Sequence, residues 1–99
     1  MIDWLNKWYE EQCNGEWEHS YGIKIETIDN PGWHLTIDLS DTPYQLLSCP
    51  LIKIENNFND WLHFKIDNNT FIGFSSINNL NELVASFHKI ISTQINPEN

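Results

Sequence analysis

With 99 residues the chain has room for one domain around a single core, and for neither a second core nor a deep cofactor cleft. Its hydrophobic fraction of 40%, with aromatics at 13%, is ample for folding and excludes a disordered chain despite a formal net charge of −9. Fourteen acidic residues face five lysines and no arginine, so the chain repels polyanions and lacks the usual bidentate phosphate donor, which argues against nucleic-acid and anionic-membrane partners.

Near the N-terminus Asp3 is placed to cap a helix in which Trp4, Leu5, Trp8 and Tyr9 form one aromatic stripe, with Asn6, Lys7, Glu10 and Glu11 facing water. Asn14-Gly15 stops it. After the EWEHSYG segment, Ile23 and Ile25 alternate with Lys24 and Glu26 as in a half-buried strand. Asn30-Pro31-Gly32 then predicts a type II turn into a return strand, where Trp33, Leu35, Ile37 and Leu39 oppose His34, Thr36 and Asp38.

Residues 40–49 have no sustained period and predict a connecting loop. Pro50 opens a third strand, with Ile52 and Ile54 against Lys53 and Glu55. An Asn-rich turn leads to Leu62, Phe64 and Ile66 alternating with Trp61, His63 and Lys65, and the turn at 67–70 leads into Phe71, Ile72 and Phe74. Leu80, Leu83, Val84, Phe87, Ile90 and Ile91 recur at helical spacing, with Asn79 and Glu82 suggesting a capping box and His88 and Lys89 suited to the negative end of the helix dipole. The order implies one α+β domain over 1–99: an antiparallel meander sheet of four to five strands with an N-terminal and a C-terminal helix packed on one face, leaving the other face open.

No apolar run approaches membrane-spanning length, and Cys13 and Cys49 lack the spacing of a zinc knuckle or redox pair; together these point to a cytoplasmic protein with reduced thiols and no cofactor. Glu16, Glu18, His19 and His34 offer the groups for a metal site or a general acid/base pair, but nothing in their spacing sets two ligands together, as the helical HExxH pattern would, so a structural role between helix and sheet is favoured. Trp4, Trp8 and Trp33 fall on apolar faces and predict core. Trp17 and Trp61 do not; Trp61 shares its face with His63 and Lys65 and is equally consistent with an interface anchor or a cross-strand packing partner.

The run from Cys13 to His19, Tyr21-Gly22, the hairpin Asp29-Asn30-Pro31-Gly32-Trp33 and Ile37-Asp38-Leu39 resembles the immunity protein 53 family. The helix with Trp4-Leu5 and Trp8-Tyr9, Asp60-Trp61 and the final helix from Asn79-Leu80 are similar to it too. After Gly73 the chain reads Phe74-Ser75-Ser76-Ile77 and departs from the family's acidic, proline-containing turn.

The resemblance implies a bacterial immunity protein that binds and neutralises a cognate toxin domain by protein–protein contact and is not an enzyme. An acidic inhibitor suits a basic toxin such as a nuclease. The expected toxin-binding residues are Glu16, Trp17, Glu18, Asp38, Asp60 and Trp61. His19, Tyr21, Asn30, Pro31, Gly32 and Trp33 are expected to be structural. A small enzyme or metal-binding domain using Glu16, Glu18 and His19, or a module self-associating through its open sheet face, are the alternatives, and monomer and dimer are both left open.

Overall fold

The computed structural model describes residues 1–94; of the domain expected over 1–99, residues 95–99 lie outside the described residues. Helix α1 spans Ile2–Gln12 and buries Leu5, Trp8 and Gln12. Asp3 is not its cap: Met1 holds that position without a side-chain bond, and Asp3 sits in the first turn, where its charge complements the positive end of the dipole. The chain leaves α1 at Cys13, whose N–H donates to Tyr9 O and Glu10 O, and Gly15 then takes a φ of 93°, a left-handed conformation that glycine adopts without steric penalty.

EWEHSYG does not continue as extended chain. Trp17–Ser20 forms a single helical turn, α2, ahead of strand β1, Ile23–Ile28. Strand β2, Gly32–Asp38, returns antiparallel to β1. The expected type II turn between them is not formed, because the Asn30–Pro31 peptide bond is cis and Gly32 does not adopt positive φ. Gly32 meets a different demand: a Cβ there would collide with the backbone carbonyl oxygen of Ser75 on the neighbouring strand.

After a loop of turns, β3 (Cys49–Asn57), β4 (Asp60–Asp67) and β5 (Thr70–Ser75) form a meander. Its last strand pairs with β2, so the five strands are ordered β1-β2-β5-β4-β3, all antiparallel. The sheet is thus not the expected simple meander of four to five strands: only β3–β5 run as a meander, and β5, paired with β2, becomes the central strand. A 3₁₀ turn, Ile77–Asn79, leads into helix α3, Leu80–Gln94. The architecture is α+β: an open five-stranded antiparallel sheet with helices at the two ends of the chain.

The core lies between the sheet and the helices. Leu35, Ile37, Leu62, Phe64, Ile66 and Phe71 point inward from the three central strands and meet Leu83, Val84, Phe87 and Ile91 of α3 and Leu5 and Trp8 of α1. Burial of each such side chain stabilises the fold by roughly 1.5–3 kcal/mol. Gly73 lets α3 approach, since a Cβ there would lie 2.6 Å from Leu83 Cδ1. The helical layer covers the sheet's centre only: Ile25 on edge strand β1 and Ile54 on edge strand β3 share the inner face yet remain 43% and 42% exposed. Among the described residues no helix is long and apolar enough to cross a membrane.

Candidate functional site

The residues expected to meet a partner separate into two places. At the α1–α2 corner, Asn14 Oδ1 accepts the N–H groups of Glu16 (2.9 Å) and Trp17 (3.0 Å), while Glu18 accepts those of Asn14 (Oε1, 2.9 Å) and Gly15 (Oε2, 2.7 Å). Two side chains thus satisfy four backbone donors that a sharp turn leaves without helical partners. Hydrogen bonds from Glu18's own backbone and from Asn14 and Gly15 hold its carboxyl below the usual glutamate pKa. Glu18 is therefore part of the turn's construction.

Trp17 is 0% exposed. Its ring packs edge-on against Trp8, centroids 5.9 Å apart, and its Nε1 donates to Asp38 O at 3.2 Å. This corrects the expectation of a surface anchor: the α2 turn rotates Trp17 into the core, where no partner reaches it. Glu16, His19 and Tyr21 stay exposed on the outside of the corner. Among the described residues no cluster of three or more His, Cys, Asp or Glu is gathered as a metal site.

Asp38 ends β2, and its Oδ1 accepts the Ser40 N–H at 2.9 Å. The register sets Asp38 in the same row as Thr70 and Asp67, whereas Trp61 precedes Leu62 at the other end of β4. Six residues of strand at ~3.3 Å each separate the two ends by about 20 Å. Asp60 is also occupied, accepting from Asn79 Nδ2 and Asn56 Nδ2. The expected acidic constellation is not one surface.

The open sheet face carries a different arrangement, created by pairing of strands distant in sequence. Phe74 of β5 stands in register with His34 on one side and His63 on the other. His34 stacks on Phe74 at 4.3 Å with planes 3° apart, and Trp61 lies 5.1 Å from His63. Glu26 sits 3.5 Å from His34 Nδ1, and Glu55 sits 2.6 Å from His63 Nε2. A histidine–carboxylate pair therefore flanks Phe74 on each side.

At the Trp61 end this face opens into a cleft of about 1150 Å³ between the β1–β2 turn and the β3–β4 turn. Trp61, His63 and Phe74 line it together with Pro31, Asn30, Ile77 and Phe58, the last of these 92% exposed. Asn30 and Pro31, expected as turn residues, are both at its rim. Gly32 and Trp33 lie beneath as structure, with Trp33 Nε1 donating to Ile77 O at 2.8 Å.

Sequence reasoning placed Trp61 on the open face but missed Phe74, His34, Phe58 and Ile77 as its companions. The alternation of Ile72 and Phe74 with Phe71, Gly73 and Ser75 carried that signal for Phe74. Cys13 and Cys49 are free thiols, and burial pushes the Cys49 thiol pKa up, away from nucleophile chemistry.

No curated protein and no solved structure matches the chain. The family model described as Immunity protein 53 matches residues 2–92, from the first residue of α1 into the last turns of α3. That match takes in α1, α2, all five strands and most of α3, and the chain belongs to the immunity protein 53 family.

Proposed function

We propose that this immunity protein neutralises one cognate toxin domain by direct, non-covalent contact and without chemistry of its own. Membership of the immunity protein 53 family over residues 2–92 carries this reading. The uncovered sheet face supports it, because it groups exposed aromatic and apolar side chains in one concave area bordered by polar groups, the composition of a contact surface. The net charge of −9 favours a basic partner and a fast, electrostatically steered encounter. A nuclease toxin, whose nucleic-acid channel is basic, is the partner class this charge fits, and on this reading the complex forms in the cytoplasm of the producing cell.

Of the expected contact residues, Trp61 belongs to this surface, while Glu16 stands at the opposite corner and contributes through the overall field. Co-expression with the toxin domain encoded beside this gene is expected to restore growth and yield a complex that co-purifies. A toxin that remains fully active beside the folded protein would overturn the reading.

A further inference from the structure

The cleft at the Trp61 end of the open face is selective in its chemistry. It is walled by two turns and floored by aromatic rings, and among the described residues that line it Glu55 is the only Asp, Glu, Lys or Arg. Three of the chain's lysines, Lys24, Lys53 and Lys65, lie elsewhere on the same face, spread over β1, β3 and β4. A cationic group approaching this end of the face thus finds a carboxylate, bonded through one oxygen to His63, at the border of an aromatic surface.

Glu55 uses Oε2 for His63, and its Oε1 has no protein partner among the described residues. A free carboxylate oxygen beside an indole fits a planar cation, which can stack on the ring while donating in its own plane to the oxygen. An ammonium group is a compact point charge with no face to stack, so the geometry favours arginine over lysine. Asparagine amides on both rims, including Asn30 and Asn78, are suited to hydrogen-bond the peptide groups of an inserted segment.

From this we infer that the cleft receives a loop or strand of the toxin carrying an arginine, its guanidinium paired with Glu55 and packed on Trp61, with Phe74 and Phe58 covering the neighbouring apolar atoms. The inference rests on the toxin-neutralising reading above and names the part of the toxin this surface holds. It locates the decisive contact at one end of the sheet, not at the acidic α1–α2 corner.

The test is calorimetric titration of the adjacent-gene toxin domain into the full-length protein at low and moderate sodium chloride. Wild type, Glu55→Gln, Trp61→Ala and, as a charge-matched control on the helical side, Glu82→Gln are compared, with far-UV dichroism and melting confirming folding of each. Trp61→Ala is expected to bind about 30-fold more weakly or worse, as loss of a central anchor does. Glu55→Gln, a near-isosteric surface change, is expected to bind about tenfold more weakly with a shallower salt dependence, while Glu82→Gln matches wild type.

Unchanged affinity in both cleft variants would overturn the cleft as the site. Loss in Trp61→Ala alone would overturn the basic insert and leave an apolar one. Equal loss in Glu82→Gln would overturn the local pairing in favour of a general charge effect. A toxin that does not bind wild type overturns the toxin-neutralising reading itself.

Discussion

The side-chain amide of Asn79 donates to Asp60 Oδ1 at 2.8 Å, tying the 3₁₀ turn before α3 to the first residue of β4. The same Nδ2 lies 2.9 Å from Ser76 Oγ and 3.3 Å from Trp61 O, so one buried amide joins three points of the chain. Its position in the sequence suggested a capping box for α3, but its donors are turned toward the sheet. The link sits directly behind Trp61 and sets where the end of β4 meets the cleft.

Removing that buried amide deletes three hydrogen bonds at once and leaves Asp60 Oδ1 without its protein donor. Asn79→Ala is expected to lower unfolding stability by about 1–3 kcal/mol. Asp60→Ala should have a smaller effect, because Asp60 is half-exposed and Asn79 keeps its other two partners. Urea denaturation of the two variants measures both, and an Asn79→Ala protein as stable as wild type would contradict the role given to this amide.

Trp17 is expected to act on folding and not on recognition. Trp17→Ala removes a fully buried ring and its hydrogen bond to Asp38 O, and should destabilise by about 3–5 kcal/mol. Any loss of toxin binding should then follow the folded fraction. A Trp17→Ala protein of wild-type stability that has lost binding would restore Trp17 to the contact surface.

Glu18 and His19 are neighbours with different expected behaviour. Glu18 has a folded pKa lowered by backbone hydrogen bonds, its own first and then that of Asn14, so it stabilises the fold fully above the ordinary glutamate pKa. That stabilisation is lost as pH falls through the lowered folded value. Glu18→Gln should therefore lower stability near neutral pH and flatten its decline in acid. The His19 side chain is exposed and makes no hydrogen bond among the described residues, so His19→Ala should change stability by no more than about 0.5 kcal/mol. Denaturation curves across acid pH separate the two, and an acid profile in Glu18→Gln identical to wild type would remove Glu18 from the linkage.

The sequence by itself determined the elements and most of their inner faces. Period-two alternation in Trp33–Leu39 and Leu62–Ile66, and helical spacing from Leu80 to Ile91, are local properties, because strand and helix geometry fix which neighbouring residues share a side. The immunity protein 53 resemblance was legible for the same reason, being carried by short runs such as Cys13–His19 and Asp29–Trp33. Pairing between distant strands was not legible. Only the tertiary structure set β5 between β2 and β4, which brought His34, Phe74 and His63 into one row and put Trp61 beside a cleft whose walls come from two separate turns. It also decided the fate of Trp17. One helical turn at Trp17–Ser20 rotates the indole inward. Its Asn14 and Glu18 caps are local, but four residues are too few for a periodicity that shows which side is buried, and that is set by packing against Trp8. Local periodicity reports which face a residue takes within its own element, whereas the site depends on which elements meet, and that is set by long-range burial.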